Sequence, residues 1–315
     1  MTVFESAELG HKVSKAQYEK ELPALREALL NTQYELTSQK GFQVVMIVSG
    51  VDGGGRRESV RLLNEWLDPR HIETHGMGEP SDEENDRPPM WRFWRALPPK
   101  GKIGVFQGSW YSMPLLERVY GLTKLSDLDE AMERNILFEK MLADEGALIL
   151  KFWFHLSRSH QEARLKALQK DPLTRWRVTD RDWHHFSLYD KFQKTTSHAL
   201  RLTSTAQAPW YIVEGADERY RSLMLGRILL ESLRRRLDTG HAPVHSIGSL
   251  PTLPKVDDRH LLRALDMTRS MEKKEYEKKL EEWQGKLAML TRDPRFQHIS
   301  VVAVFEGNDA AGKGG

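Results

Sequence analysis

The sequence predicts an α/β fold with a parallel sheet covered by helices on both faces, and three observations predict it. Short runs rich in Val and Ile alternate with charged stretches of helical period. The first strong run leads straight into a glycine-rich loop, "GVDGGGRRES". The same order of charged helix, apolar strand and glycine loop returns roughly 257 residues later.

Taken in order, the strands are Gln43–Ser49, Ile72–Gly76, Ile103–Gln107, Ala147–Trp153 and Trp210–Glu214. Between them the spacing predicts helices over Ser14–Thr37, Glu58–Leu67, Met90–Arg95, Leu115–Val119 and Ser126–Ala143, then Ser159–Gln169, Trp183–Ser204 and Arg219–Leu237. Parallel sheets bind ligands beyond the carboxyl ends of their strands. Chemistry is therefore expected in the loops after residues 49, 107, 153 and 214.

The repeat sets the domain layout. "YEKELPALREALLNTQYELTSQKGFQVVMIVSGVDGGG" matches "YEKKLEEWQGKLAMLTRDPRFQHISVVAVFEGNDAAG", with Tyr18 answering Tyr276 and Asp52 answering Asp309. Each copy reads as a helix, a turn, a β-branched strand and a Gly-x-Asp loop. A first domain over residues 1–238, a linker rich in glycine and proline over 239–256, and the start of a second domain over 257–315 follow. One strand cannot close a parallel-sheet core. The expectation is that the chain stops inside its second copy, at its phosphate loop.

Composition narrows the class. With 39% hydrophobic and 29% charged residues, a packed core is expected rather than disorder. The net charge of +2 says nothing about nucleic acid or membranes, so any anion site must be local; no nucleic-acid partner is expected. The absence of cysteine excludes disulfides, thiolate zinc sites and a cysteine nucleophile. No signal peptide or long apolar run is present, so a cytoplasmic protein without a membrane partner is expected.

"GNDAAGKGG" fits Gly-x-x-x-x-Gly-Lys directly after a strand pattern. Small residues let backbone N–H groups wind around an anion, with Gly307 and Gly312 in the loop. Lys313 would supply the mobile charge on the transferred group. Gly314 replaces the usual Ser or Thr, leaving Asp309 as the nearby carboxylate for Mg²⁺. In the first copy Gly50, Asp52 and Gly55 persist, and Arg56 stands where Lys313 does. That loop reads either as a phosphate cradle or as a tight turn that kept its glycines for shape. Arginine, bulkier and planar, does not replace a compact ammonium without loss.

"GKIGVFQGSWYS", "PLLERVYG", "ALILKFWFHLSRSHQEARLKAL", "DPLTRWRVTDRDW" and "STAQAPWYIVEGADERYRS", with both glycine loops, resemble the polyphosphate kinase 2 family. The two-copy layout resembles its tandem-domain members, the polyphosphate:AMP phosphotransferases. The resemblance implies a P-loop kinase-like, thymidylate-kinase-like three-layer fold with a helical lid. It implies Mg²⁺-dependent transfer of a phosphoryl group from inorganic polyphosphate to AMP, giving ADP, with catalysis in the second domain. Homo-oligomers are common in the family.

The resemblance also marks departures. The family carries Asp-Arg before Ser-Trp-Tyr, where this chain has Gln107 and Gly108 ahead of Ser109, Trp110 and Tyr111. With Arg56, these make the first site degenerate: a metal ligand and a phosphate clamp are both missing. Asp52 remains its candidate metal ligand. Two function classes follow for the first domain, an impaired kinase or a non-catalytic polyphosphate-binding or docking pseudo-kinase. An ordinary ATP-dependent nucleotide kinase is the weaker alternative.

Residues 158–181 are rich in Lys and Arg, and in the family this segment covers the phosphate chain. Arg158, Arg164, Arg175 and Arg177 are its candidate contacts, against the alternative of a solvated helix face. Arg234–Arg236 are expected to complement a helix dipole. Trp91 and Trp94 are expected to face the core with Arg92 and Arg95 turned elsewhere, and Trp153, Trp176 and Trp210 to serve packing. Adjacent His184 and His185 cannot share a helix face as a metal pair, and no metal-binding histidine is assigned. Asp82 and Glu83 are expected to be solvated, although in the family this region lies near the nucleotide entrance.

Overall fold

The structure is a computed structural model and describes residues 3–239 and 270–306. The chain divides into two compact units, Met1–Asp82 with Pro89–Ile247 and Glu83–Pro88 with Gly248–Gly315.

The first unit holds a five-stranded sheet: β1 (Val44–Gly50), β2 (Ile72–Gly76), β3 (Ile103–Gln107), β4 (Leu148–His155) and β5 (Trp210–Glu214). All pairs are parallel, in the order β2-β3-β1-β4-β5. The helices among the described residues are α1 (Lys15–Gln39), α2 (Arg56–Trp66), α3 (Asp82–Asn85), α4 (Trp91–Arg95), α5 (Ser112–Tyr120), α6 (Leu125–Asp144), α7 (Arg158–Lys170), α8 (Asp180–Ser187), α9 (Tyr189–Thr203), α10 (Glu218–Asp238) and α11 (Lys273–Thr291).

Alternation along β1 explains the three layers. Val44, Met46 and Val48 face a core built with Leu29 and Leu36 of α1, Leu63 of α2, and Leu229 and Leu233 of α10. Val45 and Ile47 face the opposite core, with Leu115 of α5, Phe138 of α6 and Leu200 of α9. A strand of unbroken apolar residues is what two covered faces require. β1 is central, and the chain leaves it for β2 on one side and later crosses to β4 on the other. Its carboxyl end is the topological switch point, where such sheets form a crevice.

Every predicted strand of the first unit is present within two residues. The predicted helix over Trp183–Ser204 is instead two, α8 and α9, broken where Leu188 leaves the helical conformation (φ −96°, ψ 13°). The break puts His185 against the glycine loop on one side and buries Tyr189 on the other, its hydroxyl donating to Leu156 O at 2.9 Å.

The aromatic expectations need correcting. In α4 Phe93 is the buried residue, while Trp94 is half exposed at the edge of Phe138. One turn of helix presents one buried position, and Phe93 takes it. Trp176 is 69% exposed, in the short turn Arg175–Arg177, and does not pack in the core. Trp153 is buried as expected, and Trp210 is partly buried. Arg234 and Arg236 make specific contacts rather than a diffuse dipole interaction, with Glu35 (2.6 Å) and with Gly146 O (2.8 Å).

In the second unit α11 is laced by Glu275–Lys279 and Glu282–Lys286 pairs at i,i+4 spacing. The predicted strand of the second copy does not form. Val301, Val302, Val304 and Phe305 carry no strand assignment and are 67–86% exposed. A strand exists only as part of a ladder, and none of the strand pairings among the described residues involves these residues. Gly307, Asp309, Gly312 and Lys313 lie outside the described residues.

Candidate phosphate-binding site

The turn from β1 into α2 builds the site. Gly55 is the N-cap of α2 at φ +95°, in the left-handed region. A Cβ there would lie 2.2 Å from the guanidinium carbon of Arg221, which packs beneath the loop. Only glycine permits that approach. Arg221 of α10 is 1% exposed and donates through Nη1 to Gly215 O at 2.9 Å; Nε and Nη2 have no hydrogen-bond partner. Sequence reading missed this residue, because an arginine inside an amphipathic helix carries no mark of burial.

Above the loop lies a cavity of about 890 Å³. It opens at the carboxyl ends of β1, β2, β3 and β4, and α8 and α9 close its far wall. Arg56, Arg57, Arg92, Arg177 and Arg181 line it, against the carboxylates Asp52, Glu79, Glu117 and Asp182. Asp182 is held in a capping box, accepting from Thr179 N at 2.7 Å.

Asp52 is the crossing point of the site. Arg56 Nη2 donates to its Oδ1 at 2.7 Å, and His185 Nδ1 donates to its Oδ2 at 2.6 Å. Nε2 of the same imidazole stands 2.7 Å from the Tyr120 hydroxyl of α5. Burial alone would raise the Asp52 pKa. The His185 hydrogen bond, together with the charges of Arg56, His185 and Arg181, outweighs burial and holds the carboxyl below its usual value. Gln161 of α7 adds a bond from Nε2 to Asp52 O at 3.1 Å, tying the basic segment to the loop.

The wall after β3 is shaped by Gly108. It sits at φ +81°, and a Cβ there would lie 2.2 Å from Met77 O. Glycine here is demanded by the backbone, so the position that holds arginine in the family pattern has a conformation unsuited to any side chain. Behind it, Trp110 Nε1 and Tyr111 Oη donate to Glu139 Oε1 (3.0 and 2.6 Å), and Lys151 Nζ lies 2.6 Å from Glu139 Oε2. This buried network fixes the start of α5.

Of the predicted contacts, the structure brings Gly50, Asp52, Arg56 and Arg177 to the cavity wall, with Gly55 in the turn beneath. Arg177 also pairs loosely with Glu58 (3.4 Å). Arg158, Arg164 and Arg175 do not line the cavity. Arg158 pairs with Asp190 at 2.8 Å on the outside, Arg164 lays its stem over Gly53, and Arg175 is exposed. α7 presents Gln161 and Leu165 as its buried residues, which leaves Arg158 on its exposed side. Arg181, at the end of the basic segment, and His185, weighed only as a metal ligand, also line the cavity.

The loop after 214 is not an open site. Glu214 accepts from Gly10 N (2.8 Å) and from His11 Nδ1 (2.9 Å), while Phe4 stacks on His155 at 4.4 Å. The first residues thereby cover the ends of β4 and β5. Asp82 and Glu83 are exposed, as expected for a solvated turn.

Asp52, expected as a metal ligand, is hydrogen-bonded on both carboxylate oxygens, by Arg56 and by His185. Among the described residues no group of three or more His, Asp or Glu could hold a metal ion. No helix among them is long and apolar enough to cross a membrane.

A parallel sheet with a glycine loop at its switch point, opening on an arginine-lined cavity, defines a P-loop kinase-like fold with a candidate phosphate site. The model of the family described as Polyphosphate kinase 2 (PPK2) matches residues 12–239 and 270–315, and the chain belongs to that family. It is 51% identical over 313 residues to a polyphosphate:AMP phosphotransferase of Pseudomonas aeruginosa, covering 99% of this chain and 63% of the relative. It is 45% identical to one of Pseudomonas syringae, again covering 99% and 63%. A crystal structure of a polyphosphate kinase 2 from Pseudomonas aeruginosa superposes with a TM-score of 0.78 at 47% identity, covering 93% of this chain and 57% of that one. One from Arthrobacter aurescens gives 0.69 at 27% identity, covering 76% and 86%. The chain thus spans 63% of the length of the two Pseudomonas phosphotransferases.

Proposed function

We propose that this chain belongs to a phosphotransferase that moves a phosphoryl group from inorganic polyphosphate to AMP, giving ADP, in the cytoplasm. The observation that carries the reading is 51% identity over 99% of the chain to a polyphosphate:AMP phosphotransferase. The arginine-lined cavity beyond the glycine loop supports it chemically, because guanidinium forks suit a chain of phosphates.

Catalysis is assigned to the second copy, beginning near residue 257. There Lys313 would meet the transferred group, with Asp309 as the carboxylate for Mg²⁺. The first domain, residues 1–238, is read as a binding or docking domain. Gln107 is neutral, Gly108 cannot take a side chain without moving Met77, and Asp52 is already paired. Phosphoryl transfer depends on placed charge, so a site without those groups binds better than it reacts.

Donor dependence tests the function. The chain, extended to the full length of its relatives with the remainder of the Pseudomonas aeruginosa protein, is incubated with AMP, Mg²⁺ and either long-chain polyphosphate or ATP. The reading expects ADP from polyphosphate with no nucleotide donor. A requirement for ATP would instead make it an ordinary nucleotide kinase.

A further inference from the structure

The cavity of the first unit has cations where a divalent metal would otherwise be needed. The Asp52 carboxylate is neutralised on one oxygen by Arg56 at 2.7 Å and engaged on the other by His185 at 2.6 Å. Gln107, at the end of β3, offers only a neutral amide, and hard cations take carboxylate oxygens far more readily. These residues do not fit Mg²⁺.

They do fit an anion. The α2 N-terminus begins at Arg56, so its unpaired N–H groups and positive dipole end meet the loop. Arg221 adds a fixed charge directly beneath Gly55, 1% exposed, with two of its donors unpartnered. A buried guanidinium with orphan donors is costly and is stabilised by any anion brought within reach. From the opposite wall Arg177 and Arg181 line the same cavity.

We propose that this cavity binds a linear phosphate chain without a divalent cation, its arginines neutralising the oxygens that Mg²⁺ would bridge. The proposal rests on the polyphosphate reading above and deepens it. It separates the two copies by chemistry: one holds the chain on arginine alone, the other uses a lysine loop and a metal carboxylate.

The test is calorimetric titration of sodium tripolyphosphate into the 315-residue chain carrying Lys313→Ala, so that the second loop does not contribute. Titrations are run in EDTA and in excess Mg²⁺, beside Arg177→Ala and Asp52→Asn on the same background, with thermal melts to verify folding. The proposal expects binding in EDTA. It expects about tenfold weakening in the exposed Arg177→Ala variant, the loss of one charge-assisted contact. It expects equal or tighter binding in Asp52→Asn, since that carboxylate repels phosphate. Binding that needs Mg²⁺ and disappears in Asp52→Asn would overturn the proposal and leave the polyphosphate reading standing. Binding in EDTA untouched by Arg177→Ala would move the ligand elsewhere and overturn it too. No binding under either condition would overturn the proposal, while the polyphosphate reading, whose catalysis lies in the second copy, is decided by the donor test above.

Discussion

His185 of α8 and Asp52 of the glycine loop are joined by a 2.6 Å hydrogen bond across 133 residues of sequence. The bond links the far wall of the cavity to the loop beneath it. Because Tyr120 meets the other ring nitrogen at 2.7 Å, the imidazole bridges the loop to α5 as well. The first site is thus organised around an ion-paired aspartate.

That relationship has a pH signature. The folded Asp52 pKa is depressed, so between it and the ordinary value of about 3.9 the unfolded chain binds more protons. The contribution is therefore present above the unfolded pKa and fades as pH falls through the folded one. Thermal melts of wild type and Asp52→Asn should differ above about pH 5, and the gap should narrow steadily as pH falls below about 4. A gap that stays constant to pH 3 would show that the carboxylate charge does not hold the wall.

Gly108→Ala should cost about 1–3 kcal/mol, from left-handed backbone strain and the clash with Met77 O. A melting temperature several degrees lower, read by circular dichroism, checks it. The same geometry predicts that restoring the family's arginine at this position alone destabilises the domain and gains no activity. A Gly108→Arg variant as stable as wild type would mean that the backbone here is free to move.

Lys151→Met should cost about 3–5 kcal/mol, because it leaves Glu139 as an uncompensated buried charge. Adding Glu139→Gln removes that charge and keeps an acceptor for Trp110 and Tyr111, so the double variant should recover more than half of the loss. Urea titrations of the two variants and wild type measure this directly. Equal losses in the single and double variants would show that packing, not charge, dominates.

How far the sequence could be read follows from what each signal depends on. The five strands and the loop at Gly50–Gly55 were legible because they rest on local pattern: β-branched runs and glycine spacing. The break at Leu188 was not, since α8 and α9 share one helical period and separate only through tertiary contacts of His185 and Tyr189. Arg177 was found from its place in a basic segment, and Arg181 and His185 were missed because only the turn before α8 aims them inward. Burial of Arg221 and Lys151 left no local mark at all. The strand expected at 301–305 failed for the converse reason. Its pattern is local, while a ladder partner is not.

The division of labour between the copies is tested most directly by one substitution, Lys313→Ala, in the chain extended to its relatives' full length. ADP formation from AMP and long-chain polyphosphate is followed at saturating substrate, with a thermal melt to establish that the fold is unchanged. A fall in kcat of about 100-fold or more, the usual scale for removing a charge aimed at the transition state, is the predicted result. ADP formation that survives the substitution would contradict the account and return the chemistry to the first domain.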